Sequence, residues 1–163
     1  MKSRNFVLWG VTALILLLVT YQTYQRELLF DNGRLILLEL APKDPRSLIQ
    51  GDYMRLRYAL AEDIAAQIST LERGQVVVQL DSNNVAHFVS IYDSITPLYD
   101  NEVLLPFRQD FDVYIGPESY FFQEGHAEYY EDAEYGELRI SASGAILLVG
   151  LRDANFKLLG PPK

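Results

Sequence analysis

The chain has 163 residues, of which 49% are hydrophobic, and it carries a formal net charge of −8. All 22 acidic residues but only 11 of the 14 basic ones lie from Glu27 onward, so that part carries a net charge of −11. The charge argues against nucleic acid as a partner, because such binding depends on clustered basic residues that neutralise phosphates. The absence of cysteine, with only two histidines, excludes disulfides and a closed zinc centre.

The first predicted element is a membrane-spanning helix over residues 6–21. These sixteen residues hold no charge and follow Lys2 and Arg4. As a helix they span about 24 Å, and Tyr21 and Tyr24 extend the segment as aromatic anchors at the far interface. A cleaved secretory signal is the alternative, but no small-x-small cleavage site follows the apolar run. The sequence therefore favours an uncleaved signal anchor.

The charge distribution predicts the topology. Basic residues precede the anchor, so we expect the N-terminus to stay in the cytoplasm and the remainder to lie outside it. Residues 1–26 are then the anchor with its flanks, and in a Gram-negative host the membrane is the bacterial inner membrane and the compartment beyond it is the periplasm. Residues 27–163 are one periplasmic domain, whose size suits a single hydrophobic core.

The first half of this domain alternates between strand and helix patterns. A strand is predicted over residues 33–41, opened by a turn at Asp31-Asn32-Gly33. Residues 53–58 form a second strand with arginines on one face and aliphatic side chains on the other. Apolar residues at helical spacing predict a helix over residues 60–71, which Gly74 follows as a stop signal.

The second half has mostly strand signals. We expect hairpins over residues 76–81 with 85–92 and over residues 137–141 with 145–151, the latter turned at Ser143-Gly144. Residues 102–115 hold one or two strands with an edge or bend at Pro106, residues 120–122 continue as strand, and residues 127–135 form a short exposed helix or loop. The predicted fold is mainly β within the α+β class, an antiparallel sheet structure with one or two short helices. Barrel and sandwich remain open.

The motifs that carry a resemblance lie in three places. They are Asp44-Pro45-Arg46-Ser47 with Gly51-Asp52-Tyr53-x-x-Leu56-x-Tyr58, then Tyr120-Phe121-Phe122-x-Glu124-Gly125, then Glu137-Leu138-Arg139-Ile140-Ser141 with Gly144. Together they resemble the bacterial GDYXXLXY protein family, although members carry proline where this chain has Gln123. The resemblance implies an envelope protein with one N-terminal membrane segment, often found beside a multi-spanning membrane protein of unknown role, and it does not indicate any particular activity.

The candidate binding residues come from these motifs. Gly51 supplies turn conformations closed to other residues, Asp52 caps the turn, and Tyr53 buries its ring while its hydroxyl finds a partner. A strand-entry turn explains them better than a ligand site, and Arg46 behind Pro45 is most simply a structural partner of a carboxylate. The full set of candidate binding residues is Arg46, Gly51, Asp52, Tyr53, Leu56, Tyr58, Glu124 and Gly125.

The sequence gives little support to an enzymatic function. Ser47 ahead of the Gly-Asp pair resembles the nucleophile of signal peptidases, but no lysine or histidine is placed to act as its base. His126 lies among acidic residues whose spacing matches no metal-ligand template, and a solvated acidic loop explains them equally. We expect no catalytic residue, no metal and no cofactor, although an enzyme is not excluded.

Two functional hypotheses follow. In the first, the protein is a non-enzymatic accessory or structural subunit that docks on an integral membrane protein through residues 51–58. In the second, the domain binds or processes an envelope ligand, whose identity the sequence does not indicate, in a cleft between residues 51–58 and residues 122–130.

Overall fold

The computed structural model describes residues 2–41, 53–68, 72–141 and 144–162. Its first element is a 31-residue helix, α1 (Lys2–Asn32), and the part from Val7 to Asn32 is long and apolar enough to cross a membrane. The helix includes Asp31 and Asn32, which the sequence had placed in a turn. Leu29 accepts a 2.9 Å hydrogen bond from the N–H of Gly33, which closes the helix, so Gly33 alone makes the bend.

Nine strands, one further α-helix and a 3₁₀ helix follow within the described residues. In chain order they are β1 (Arg34–Glu39), β2 (Tyr53–Arg55), α2 (Leu60–Gln67), β3 (Arg73–Leu80), β4 (Ala86–Ile91), β5 (Glu102–Gln109), β6 (Val113–Tyr114), β7 (Ser119–Phe121), the 3₁₀ helix Ala127–Tyr130, β8 (Tyr135–Ile140) and β9 (Ile146–Arg152). They form three antiparallel sheets with the strand orders β1-β8-β9, β2-β7 and β4-β3-β5-β6. The predicted β-rich fold with an N-terminal apolar helix is confirmed.

A single buried cluster joins the sheets and α2. Its fully buried side chains come from β1, α2, β3, β5, β8 and β9, and they include Ile36, Ile64, Val76, Leu105, Leu138 and Leu151. Isolated backbone bridges connect the sheets at their margins: Leu37 of β1 pairs with Val85, and Leu40 pairs with Tyr58. The short β2-β7 ribbon is therefore held against the larger sheets both by the core and by backbone pairing.

The two predicted hairpins are confirmed as β3–β4 and β8–β9. The first is turned by Asp81, whose carboxylate accepts hydrogen bonds from the backbone N–H groups of Asn83 and Val85 at 2.8 and 2.9 Å. Pro106 lies inside β5 rather than between two strands. On the side of β5 away from β3, β6 pairs only with Arg108 and Gln109. Pro106 therefore lies at a sheet edge within the described residues, as the sequence predicted.

Two predictions differ in detail from the structure. The helix predicted over residues 60–71 ends at Gln67, because Ile68 is already extended (φ −103°, ψ 130°) and turns its side chain into the core; Leu71 lies outside the described residues. The segment predicted as an exposed helix or loop is a 3₁₀ helix, and it is only partly exposed. Tyr130 and Ala133 are buried, which ties this acidic segment to the core.

Candidate functional site

The extended segment of residues 53–58 begins with β2, and we call it the signature strand. Its two faces differ in character. Met54, Leu56 and Tyr58 are buried, whereas Tyr53, Arg55 and Arg57 alternate with them and are exposed. This is the alternation that the sequence predicted for residues 53–58, and it follows from the two-residue period of extended chain. Residues 53–58 therefore divide into an inward half, Met54, Leu56 and Tyr58, and an outward half, Tyr53, Arg55 and Arg57.

The inward half fastens the signature strand to the rest of the domain. The Leu56 backbone N–H donates a 2.7 Å hydrogen bond to the carbonyl of Glu118, and the Tyr58 hydroxyl donates one of the same length to the carbonyl of Pro117. The Tyr58 ring lies so close to Gly136 that a Cβ there would approach its Cε1 to 3.2 Å. Burial, with a smaller contribution from the charge of Glu118, raises the pKa of Tyr58 well above its usual value. Leu56 and Tyr58 are therefore structural residues.

The outward half presents two aromatic rings to solvent. Tyr53 of β2 lies opposite Phe121 of β7, with their ring centroids 5.7 Å apart and their planes tilted by 38°. Tyr53 is 38% exposed and Phe121 is 74% exposed. We call these two residues the aromatic pair. Their rings pack against each other, and because both are exposed the pair forms an apolar patch on the outer face of the ribbon.

The neighbours of Phe121 explain why its ring points outward. Tyr120 and Phe122 both pack on the buried Tyr130, with ring centroids 5.1 and 5.3 Å from it. Burial and a hydrogen bond with Tyr130 raise the pKa of Tyr120 to about 12. Because successive strand residues face opposite sides, the inward turn of its neighbours directs Phe121 to solvent.

Of the remaining candidate residues, the structure describes Glu124 and Gly125. Glu124 and Gly125 are exposed in the turn that follows β7, where the His126 N–H donates a 3.0 Å hydrogen bond to Gln123. Gly125 has φ +80°, a conformation that favours glycine, so it is a turn residue. Arg46, Gly51 and Asp52 lie outside the described residues. Two residues that contact the signature strand, Phe121 and Pro117, are not in the predicted set of binding residues. The three consecutive aromatic residues at 120–122 were the sequence feature that could have indicated Phe121.

Two cavities are lined by residues outside the signature strand. One of about 440 Å³ is lined by four acidic residues, among them Asp132, Glu134 and Asp153, together with Leu40, three alanines and Asn155. The other, of about 760 Å³, lies between the C-terminal end of α1, the first residues of β5 and the residues on either side of the β8–β9 turn, and Leu98 also lines it. Neither is lined by residues 53–58 or 122–130, so neither is the cleft that the ligand-binding hypothesis expects. Within the described part of the chain, no cluster of three or more acidic or histidine side chains is arranged to hold a metal ion.

Comparison with known proteins identifies the family. The family model described as "GDYXXLXY protein" matches residues 15–151, which is most of the chain and includes the C-terminal half of α1. No curated protein and no solved structure shows significant similarity to the chain. The matched region contains the whole signature and the aromatic segment that packs beside it. The chain belongs to the GDYXXLXY protein family.

Proposed function

We propose that this protein is a non-enzymatic accessory or structural subunit of the bacterial cell envelope. In this proposal α1 crosses the inner membrane once with its N-terminus in the cytoplasm, and the β-rich domain lies in the periplasm. The domain docks on a multi-spanning membrane protein through the outer face of the signature strand. The observation that supports this most is the exposed aromatic pair of Tyr53 and Phe121.

The aromatic pair has the properties of an interface anchor. Aromatic residues are enriched in the centres of protein interfaces, where a few of them supply most of the binding energy. The pair is fixed by the β2-β7 register, so little side-chain freedom is lost when a partner covers it. The exposed Arg55 on the same face adds donors that suit the polar rim of an interface.

The properties of α1 support the membrane location. The large apolar side chains from Val7 to Tyr24 are exposed along the helix, and such a surface is stable in lipid but not in water. Lys2 and Arg4 precede the apolar run, and this placement favours a cytoplasmic N-terminus. The same helix gives the domain a fixed distance from any membrane partner.

Affinity purification of the full-length chain from mild detergent tests the proposal. We expect a multi-spanning membrane protein to co-purify in stoichiometric amount. Tyr53→Ala and Phe121→Ala should each weaken its recovery, because truncating an interface anchor costs about 1–2 kcal/mol or more, roughly a 5- to 30-fold loss of affinity.

Phe111→Ala is the matched control. Phe111 is a 97% exposed aromatic residue between β5 and β6, so its loss removes similar apolar surface from a different part of the domain. It should leave recovery of the partner unchanged. A wild-type chain that purifies without any membrane protein, or partner recovery that falls equally in all three variants, would contradict docking through the aromatic pair.

A further inference from the structure

The loop between β4 and β5 exposes a second group of apolar side chains. In this loop, residues 93–101, Ile95 is 87% exposed, Tyr99 is 73% exposed and Leu98 is also exposed. We call this segment the 93–101 loop. Soluble domains seldom expose apolar side chains so densely along a few residues unless the surface binds something.

The loop lies beside the end of α1. Arg34, the second residue after that helix, donates hydrogen bonds from Nη1 to the Glu102 carbonyl at 3.2 Å and from Nη2 to the Asp100 carbonyl at 3.0 Å. Leu98 lines the cavity of about 760 Å³ together with Leu28 and Leu29 of α1. The loop is thereby fixed alongside the part of α1 that follows its most apolar segment.

The length of α1 places this contact at the height of the lipid headgroups. A hydrocarbon core of about 30 Å takes about 20 helical residues, which extends from Phe6 to Gln25. Leu28 and Leu29 are then about 5–6 Å beyond the core, within a headgroup layer of roughly 5–8 Å. Leu98 lines the same cavity, which puts the loop on the side of the domain where α1 ends. Phe30 of α1, also exposed, adds apolar surface nearby.

Carboxylates at the two ends of the loop accept hydrogen bonds from the backbone N–H groups of Ile95 and Tyr99. The Asp93 carboxylate accepts hydrogen bonds from the N–H groups of Ile95 and Thr96 at 2.9 and 3.0 Å, and from the Thr96 hydroxyl at 3.1 Å. The Glu102 carboxylate accepts one from the Tyr99 N–H at 2.9 Å. Paired donors lower the cost of moving the loop out of water, because an unpaired amide is expensive in a less polar medium.

We propose that the 93–101 loop is a second membrane contact, which places Ile95 and Tyr99 at the boundary between bilayer and water, within the headgroup layer of the bilayer that α1 crosses. The inference rests on the proposed function insofar as α1 must cross a membrane. Tyrosine is favoured at this boundary, and the acidic Asp93 and Asp100 select neutral, zwitterionic lipid surfaces over anionic ones. With α1, the loop gives the domain two points of attachment and so a fixed orientation.

Single-cysteine spin labelling tests the contact, because the chain has no native cysteine. The variants Ile95→Cys, Tyr99→Cys, Leu16→Cys and Phe111→Cys of the full-length chain are labelled with a nitroxide in phosphatidylcholine nanodiscs, without any partner protein. Accessibility to oxygen and to a water-soluble nickel chelate then reports depth. We expect labels at 95 and 99 to show a several-fold higher oxygen-to-nickel ratio than the label at 111, and a lower ratio than the label at 16.

The two control positions separate the failure of the inference from the failure of the proposed function. Labels at 95 and 99 that are as aqueous as the label at 111, with the label at 16 deep in lipid, would overturn the loop contact and leave the anchor in place. An aqueous label at 16 would overturn both. Replacing half of the phosphatidylcholine with phosphatidylglycerol should not deepen the labels at 95 and 99, and a deeper position would contradict the selection for neutral lipid.

Discussion

Removing the Tyr58 hydroxyl isolates the contribution of the inward half of the signature to stability. Tyr58→Phe keeps the ring, which is 4% exposed and packs beside Gly136, and deletes only the 2.7 Å hydrogen bond to the Pro117 carbonyl. Such a bond contributes about 0.5–1.5 kcal/mol, and more where the abandoned acceptor is buried. Since Pro117 is only partly buried, water can reach its carbonyl, and we expect a loss of about 1 kcal/mol.

The assay is thermal unfolding of the full-length chain in detergent, followed by near-ultraviolet circular dichroism. For a domain of this size, about 1 kcal/mol corresponds to a Tm lower by roughly 3–5 °C. Tyr99→Phe is the control, because Tyr99 is exposed and its hydroxyl is free to bond water in place of the protein. It should leave the Tm unchanged.

The same unfolding experiment at alkaline pH gives a second expected value, the loss of stability per pH unit. Burial raises the pKa of Tyr58 in the folded state above the unfolded value of about 10, so its contribution to stability is complete below pH 10. It is lost as the pH rises above 10, at up to about 1.4 kcal/mol per pH unit, because the unfolded chain ionises first. Tyr58→Phe should therefore flatten the decline in stability above pH 10. A variant with the wild-type Tm and the wild-type alkaline slope would refute the structural role of Tyr58.

Three further substitutions test the packing of the domain. Glu137→Gln removes the charge partner of Arg152, whose Nε lies 2.7 Å from the carboxylate in a largely buried pair, and should cost about 2–3 kcal/mol in urea unfolding. Gly74→Ala places a Cβ 2.7 Å from the ring of Phe107, and the free energy of unfolding should fall by about 1–3 kcal/mol. Adding Phe107→Leu should recover part of that loss in a double-mutant cycle, and strict additivity would contradict the clash. Gly125→Ala meets no atom within 4 Å but must hold φ +80°, so a loss of about 1 kcal/mol is expected from backbone strain alone, and no change in the midpoint would contradict it.

The local features of the fold were predictable because they depend on neighbours in sequence. The alternation from Tyr53 to Tyr58 identified the buried face of the signature strand, since a strand with one face in the core repeats every two residues. Short polar turns identified both hairpins for the same local reason. The helix pattern after residue 60 was also recognised, although its end was placed beyond Gln67.

The features that depend on distant residues were not predictable from one sequence. The partner of the Tyr58 hydroxyl is 59 residues away, and no periodicity indicates which carbonyl accepts it. The division of the strands into three sheets likewise depends on pairings between β1 and β8 and between β3 and β5. The last turns of α1 lie beside β8 and β9, and its sequence alone does not reveal this contact.

Photo-crosslinking from the aromatic pair tests the central claim most directly. Benzoylphenylalanine replaces Tyr53 in one variant and Phe111 in another, and cells producing each full-length chain are irradiated before solubilisation. We expect a crosslink from position 53 to a multi-spanning membrane protein and none to that protein from position 111, although Phe111 is the more exposed residue. No crosslink to a membrane protein from position 53, or the same crosslink from both positions, would contradict the role of the outward half of the signature as a docking surface.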